Sequence, residues 1–378
     1  MVEARLGLIV NPVAGIGGRV GLKGSDGAEV QKRALELGAV PQSLNRAIQA
    51  LERIKPTGDL EIITYPGEMG EDVARACGFE PTVIGSITPG ETTPQDTRSA
   101  AREMRRLNVD LLLFAGGDGT ARDIYNAVGD GIPALGIPAG VKIHSAVFAT
   151  NPINAGDLAV LVLQGRVSGL REAEVMDIDE DAFRRGVVSA KLYGYLKVPF
   201  QRRLVQGLKT PSSPGEVASM RAIAHDVVGK MEGDCLYIIG PGTTTRAIAS
   251  RLGLSKTLIG VDVILGGKLV AADVNESQLL KLVEVRCARI IVTPIGGQGC
   301  IFGRGNQQIS PRVIKKVLAE DDRPKDRIVV VSTPDKIHAL GGRPLWVDTG
   351  DRELDGMLSG YIRVITGYRE QIVYKVTC

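Results

Sequence analysis

The stretch LLLFAGGDGTARDIYNAV, residues 111–128, decides the fold. Its first five residues are continuously apolar, as in a strand buried on both faces of a parallel sheet. Gly116-Gly117-Asp118-Gly119-Thr120 then sets one carboxylate between glycines. Ile124, Ala127 and Val128 follow at helical spacing, so the stretch reads as strand, glycine turn and helix. In parallel sheets, ligands gather at the carboxyl ends of strands, where loops feed helix N-termini. Glycines there let backbone N–H groups approach an anion, and the helix dipole adds to the attraction. Asp118 would repel a bound phosphate unless it takes part in chemistry. It could orient or deprotonate an acceptor hydroxyl, or help hold Mg²⁺. The plain alternative is a turn in which Thr120 and Asp123 form a capping-box variant.

Working outward, strand and helix signals alternate through the first part of the chain. Leu6 to Val10 and Leu60 to Thr64 read as strands, and Ser43 to Ile54 as a helix. A helix is expected over Glu68 to Cys77 and a strand over Thr82 to Ile84. Thr93-Pro94 starts a further helix, a capping hydroxyl followed by Pro at the first helical position, and Val109 to Ala115 is the buried strand. This alternation predicts an N-terminal parallel-sheet α/β domain over residues 1–150. Beyond Asn151 the texture changes. Glu172 to Val188 and Lys191 to Val198 read as strands, Glu216 to Met231 as a helix, and Cys235 to Ile239 and Ile290 to Thr293 as short buried strands. Residues 151–378 are therefore expected to form a β-rich second domain, its final segment free to return to the first, with Thr210 to Gly215 as an internal loop.

At 378 residues, two domains are the natural expectation. Lys plus Arg number 46 against 43 Asp plus Glu, which argues against a dedicated nucleic-acid binder. Arg102, Arg105 and Arg106 cluster on an amphipathic helix and read as a solvated face. The apolar run Leu158 to Leu163 is far short of the ~20 residues a membrane helix needs. No signal-peptide pattern opens the chain, so a soluble cytoplasmic protein without membrane partners is expected. Five widely spaced cysteines lack any CxxC pair, and only three histidines occur, so neither a zinc site nor a disulfide framework is expected.

Three other loops carry candidate phosphate contacts. Asn11 to Gly18 follows the first strand, but its glycines miss the GxGxxG spacing by one residue. It reads equally as a phosphate loop around Asn11 and Gly15 or as a flexible turn. No GxxxxGK[ST] occurs. Leu135 to Ser145 brings Lys142, His144 and Ser145 together beyond a short strand, where Lys142 either neutralises phosphate or is ordinary surface. In Ile239 to Arg246, Gly242 precedes Thr243, Thr244 and Thr245. These hydroxyls suit a helix N-terminus, either meeting phosphate oxygens or as a simple cap by Thr243.

Taken together, these motifs resemble the superfamily of NAD kinases, diacylglycerol kinases and sphingosine kinases. The ATP-NAD/AcoX-type branch is the nearer match. Gly116 to Thr120 with Asn11-Pro12 and Gly15 carry the superfamily likeness; Tyr65 to Gly70, Gly136 to Ser145, Gly240 to Thr245 and Thr293 to Asn306 carry that of the branch. The resemblance implies an active site in the cleft between an α/β domain and a β-rich domain. It implies that Asp118 is the catalytic carboxylate, that ATP with Mg²⁺ held through its phosphates is the donor, and that the chain forms homo-oligomers. Gly116, Gly117, Gly119 and Thr120 would bind nucleotide phosphate. NAD kinases carry an Asn-Glu or Asn-Asp pair between their two main motifs. Here the pair is Asn275-Glu276, which reads as a helix cap, while Asp177, Asp179 and Asp181 lie in the corresponding region. Asp123, Asn126, Asp177 and Asp179 are the candidate acceptor contacts.

The leading reading is a small-molecule kinase that uses ATP or polyphosphate, with the adenosine ribose 2'-OH of NAD as acceptor and NADP as product. A lipid kinase is the second reading, since Thr120 to Asn126 resembles the lipid-kinase continuation. A nucleotide-binding regulator without turnover is the third.

Overall fold

The computed structural model describes residues 4–22, 28–54, 60–140, 143–167, 169–178, 190–201, 205, 214–257, 259–284, 287–295, 298–319 and 324–378. The chain forms two compact units. One contains residues 1–16 and 24–208, the other residues 17–23 and 209–378.

The first unit contains β1 (Ala4–Val10), α1 (Ala28–Glu36), α2 (Ser43–Ile54), β2 (Leu60–Thr64), α3 (Glu71–Ala76), β3 (Thr82–Val83) and α4 (Pro94–Arg106). There follow β4 (Leu111–Gly116), α5 (Asp118–Val128), β5 (Ala134–Pro138), α6 (Pro152–Leu163), β6 (Leu170–Ile178) and β7 (Ala190–Pro199). Five strands form a wholly parallel sheet in the order β3-β2-β1-β4-β5. The chain winds outward from β1 to β3, then returns to the other side of β1 with β4 and β5. The β1–β4 boundary is therefore the topological switch point, where open α/β sheets place their ligands.

Local chemistry accounts for these elements. In α2, Ala47, Ala50, Leu51 and Ile54 form one buried stripe at helical spacing. A capping box starts α4: Thr93 N–H donates to Asp96 Oδ2 at 2.8 Å, with Pro94 at the first helical position. Leu111 to Ala115 are wholly buried, and Phe114 meets Phe148 edge to face at 5.4 Å between centroids. Burial of each large side chain there contributes about 1.5–3 kcal/mol. The single helix expected over Glu68 to Cys77 is divided. A 3₁₀ turn, Gly67–Met69, precedes α3, and Gly70 between them has φ +142°. A side chain at Gly70 would run into the Thr64 hydroxyl.

The change of texture at residue 150 is not where the units part. Gly156 of α6 packs directly on Ala50 of α2. β6 and β7 form an antiparallel pair, and Ala146 N–H donates to Glu174 O of β6 at 2.9 Å. These contacts keep the chain in the first unit to residue 208. Residues 179–189, which include the end of the longer strand expected over Glu172 to Val188, lie outside the described residues, as does most of the loop expected over Thr210 to Gly215.

The second unit contains α7 (Pro214–Val228), β8 (Leu236–Ile239), α8 (Thr243–Arg251), β9 (Asp262–Leu265), β10 (Lys268–Ala271), α9 (Glu276–Val283), β11 (Ala288–Val292) and β12 (Cys300–Phe302). It continues with α10 (Pro311–Leu318), β13 (Ile328–Val331), α11 (Pro334–Ala339), β14 (Leu345–Val347), α12 (Arg352–Leu358), β15 (Gly360–Gly367) and β16 (Glu370–Thr377). Its mixed sheet of nine strands runs β10-β9-β8-β11-β13-β15-β16-β14-β12. The unit is strand-rich, as expected, yet β8, β11, β13 and β15 pair in parallel, so crossover segments recur here too. The final segment stays in this unit as β15 and β16. Asn275 caps α9 in a reciprocal capping box with Gln278, as read from the sequence. The second half of the first glycine loop also belongs here: Glu276 N–H donates to Arg19 O at 3.1 Å, and Gly18 packs against Gln307. Among the described residues, no helix is long and apolar enough to cross a membrane.

Candidate active site

The switch point of the first unit carries the glycine–aspartate turn. β4 ends at Gly116, Gly117 is the N-cap of α5, and Asp118 is the first helical residue. Thr120 and Asp123 do not form a capping box. Gly117 and Gly140 let two loops touch backbone to backbone, since a Cβ built on Gly140 would lie 2.7 Å from Gly117 Cα. Asp118 is only 5% exposed. Its Oδ1 accepts from Ser145 N–H at 3.0 Å and its Oδ2 from His144 N–H at 2.7 Å. His144 Nδ1 lies 3.2 Å from the same Oδ2. Two backbone donors and the start of a helix therefore hold a buried carboxylate in one orientation.

The supports of this carboxylate are themselves anchored. Ser145 Oγ donates to Met176 O at 2.8 Å and accepts from Met176 N–H at 2.9 Å, which fixes residues 144–145 to β6. On the β1 side, Asn11 Nδ2 donates to Thr120 Oγ1 at 2.9 Å, and Asn11 Oδ1 accepts from Val13 N–H at 3.2 Å. Gly15, at φ +78°, fits against Ala139 O, where a Cβ would collide. Thus Asn11, Gly15, Gly116, Gly117, Gly119, Thr120, His144 and Ser145 are brought around Asp118 by the strand ends. Lys142 lies outside the described residues.

The proposed acceptor contacts divide. Asp123 is buried and paired with Arg98 of α4 at 2.6 Å. Asp177 pairs with Arg122 of α5 at 2.7 Å, and the Arg122 guanidinium sits 5.4 Å from the Tyr193 ring centroid. Burial opposes the charge on Arg122, but Asp177 and Tyr193 outweigh it and hold its pKa above the ordinary value. Asn126 is exposed on α5. Asp179 lies outside the described residues. Arg98 and Arg122, which tie α5 to α4 and β6, carry no local sequence signal of that role, because their partners lie tens of residues away.

In the second unit, Gly242, not Thr243, is the N-cap of α8, and it has φ +132°. Thr244 and Thr245 are 0% exposed. Thr245 Oγ1 donates to Gly240 O at 2.7 Å, and Thr244 Oγ1 accepts from Lys336 Nζ at 2.9 Å. Thr243 and Arg246 remain exposed at the helix start. Thr293, at the end of neighbouring β11, is buried with no hydrogen-bond partner for its Oγ1. Lys336 escaped the sequence reading because it follows a different strand, β13, and Thr293 entered it only as the end of a strand and the start of the Thr293 to Asn306 motif.

The only group of three or more His, Cys, Asp or Glu ligand atoms found together among the described residues is Glu232, Cys235 and Cys287 in the second unit. At the switch point, Asp118 supplies a single carboxylate. That matches the usual binding of Mg²⁺, by one or two carboxylates plus substrate phosphates rather than by a protein cage.

A doubly wound sheet with a glycine–aspartate turn at its switch point, followed by a strand-rich second unit, defines a class of two-part α/β proteins. The family can be stated more closely. The model of the ATP-NAD kinase N-terminal domain matches residues 6–167, and that of the ATP-NAD kinase C-terminal domain matches residues 232–376. The chain belongs to the ATP-NAD kinase family. No curated protein matches it. Two solved structures of a candidate diacylglycerol kinase from Bacillus anthracis str. Sterne are similar at 17% and 18% identity, each with a TM-score of 0.24. Each alignment covers 47% of this chain and 46% of the other, so the chain spans less than half the length of those relatives.

Proposed function

We propose that the protein transfers a phosphoryl group from ATP to a hydroxyl of a small molecule, with the adenosine ribose 2'-OH of NAD as the leading acceptor. The observation that carries this reading is Asp118, a buried carboxylate held by two backbone N–H groups at the β1–β4 switch point. Family membership supports the reaction class. Asp118 receives the proton of the acceptor hydroxyl or orients that hydroxyl as the bond to phosphorus forms. Because its carboxylate is already fixed, little reorganisation is needed during reaction. Gly116, Gly117, Gly119 and Asn11 shape the phosphate approach, and Thr243 with Arg246 offers a further phosphate contact in the second unit. Mg²⁺ bound through the phosphates and Asp118 would supply neutralisation of phosphate charge.

The test is to incubate purified protein with Mg²⁺ and either ATP or polyphosphate, against a panel of acceptors that includes NAD, NADH, coenzyme A and a diacylglycerol. NADP formation from NAD that disappears in Asp118→Asn supports the full reading. Turnover of another panel member keeps the kinase and replaces the acceptor. Nucleotide binding without any product would return the chain to a non-catalytic regulator.

A further inference from the structure

The cysteine spacing excluded a disulfide framework, yet the fold brings two cysteines together. Cys235 immediately precedes β8 and Cys287 immediately precedes β11, and these strands are parallel neighbours with Leu236 opposite Ala288. The residues just before them are thereby aligned, and Leu236 N–H donates to Cys287 O at 2.8 Å. The sulfurs lie 2.7 Å apart across 52 residues of sequence. Arg327, just before the next parallel strand β13, donates from Nη1 to Cys287 Sγ at 2.6 Å. Cys235 is wholly buried, whereas Cys287 is partly accessible.

Glu232 lies close enough to complete a three-ligand group with the two thiols. The charges around the group oppose a cation, however. Glu232 is paired with Arg289 at 2.7 Å and Cys287 with Arg327, so a metal ion would sit among two guanidinium groups. The same positive charge favours a sulfur that attacks as an anion. Burial, and contact with Cys287, push the Cys235 thiol up to about 12, which disfavours it as the first sulfur to react.

We propose that Cys235 and Cys287 form a site of reversible oxidation by peroxides, in which Cys287 reacts first and Cys235 closes a disulfide. In the first step, the Cys287 sulfur attacks the terminal peroxide oxygen. An S–O bond forms, the O–O bond breaks, and the leaving oxygen takes a proton and departs as water or an alcohol. In the second step, the Cys235 sulfur attacks the Cys287 sulfenic sulfur, the S–S bond forms, and water leaves. The two thiols lose two electrons and two protons to the peroxide. The product joins the starts of β8 and β11, inside one sheet.

The experiment treats the full-length protein with hydrogen peroxide, blocks remaining thiols by alkylation, and maps peptides by mass spectrometry with and without a reductant. The expected product is a reducible Cys235–Cys287 linkage formed on the order of tenfold faster than oxidation of exposed Cys378, because the Arg327 guanidinium lies against the Cys287 sulfur and a second sulfur is in place to close the bond. It should raise the thermal midpoint of the protein by several degrees through loop closure. Cys235→Ser should stop at a Cys287 sulfenic acid trapped by dimedone, and Arg327→Gln should slow the first step several-fold. Recovery of Cys235 and Cys287 as free thiols while Cys378 is oxidised would overturn the proposal. So would stoichiometric Zn²⁺ binding that protects both thiols from alkylation. The wild-type mapping decides the matter even if a variant fails to fold.

Discussion

Two turns in this chain share one plan, a buried strand, then glycines, then a helix, and they use their polar groups in opposite ways. After β4, the polar group is a carboxylate that accepts N–H donors from another loop and keeps a histidine ring beside it. After β8, the hydroxyls face inward, with Thr245 closing onto the carbonyl that precedes its own helix and Thr244 receiving Lys336. The first arrangement fixes a carboxylate in one orientation. The second braces a helix start, where Thr243, within reach of Lys336, and Arg246 are exposed. The shared plan shows where a phosphate could approach; the partners of each side chain show what the turn does with it.

The largest effect should follow from Asp118→Asn. Positioned acids and bases contribute about 10²–10⁴-fold in rate, so turnover should fall by that order while nucleotide still binds. Some stability should also be lost, roughly 1–3 kcal/mol, because the new amide NH₂ must face a backbone N–H that now donates to the carboxylate. Steady-state kinetics with calorimetric titration of nucleotide checks the first point, and denaturant unfolding the second. Activity within a few-fold of wild type would erase the distinction between the two turns.

Gly140→Ala sharpens the same point from the neighbouring loop. Its Cβ would lie 2.7 Å from Gly117 Cα, so the turn carrying Asp118 must move. Misplacement by about 1 Å can cost on the order of 10²-fold in rate. The expected outcome is a fall in kcat larger than any rise in KM for ATP, measured at saturating acceptor.

Replacing Thr244 and Thr245 together with Ala tests the second turn. Buried carbonyls and the Lys336 ammonium would lose partners, at a cost of roughly 1–3 kcal/mol. Urea unfolding should show that loss, with KM for ATP changed by less than about twofold. A tenfold rise in KM at unchanged stability would make the turn after β8 a binding loop as well.

How much of this was legible in the sequence depends on how far apart the cooperating residues lie. Ser43–Ile54 and Leu60–Thr64 match their expected limits because a stripe of apolar residues and a β-branched run are local signals. The break at Gly70 is a contact with Thr64, and no periodicity records it. Asp118 was conspicuous as a charge among glycines, and His144 and Ser145 were named as candidate phosphate contacts beyond a strand end, not as supports of Asp118. That their backbone N–H groups hold the carboxylate follows from β4 and β5 being adjacent in the sheet. The same logic hid the cysteine pair, which exists because β8 and β11 are neighbours. The compact units part near residue 208 and not at the change of texture for a related reason: α6 and the β6–β7 pair look unlike the alternating segment before them but pack on it.

The smallest expected effect concerns the acceptor side of α5. Asp123 and Asn126 were named as acceptor contacts within Thr120 to Asn126, the segment that resembles the lipid-kinase continuation. The structure separates them, since Asp123 is buried against Arg98 while Asn126 is exposed. Asp123→Asn therefore mixes stability with function, because removal of its charge leaves Arg98 without its partner at 2.6 Å. Asn126→Ala does not carry that difficulty, and surface changes of this kind usually stay within about 0.5 kcal/mol. Thermal unfolding should be unchanged. If Asn126 meets the acceptor, its loss should raise the acceptor KM several-fold and leave the KM for ATP alone, since one hydrogen bond contributes about 0.5–1.5 kcal/mol. An unchanged acceptor KM would remove Asn126 from the site and leave the acceptor contacts of the first unit to be sought on β6, where Asp177 already binds Arg122 of α5.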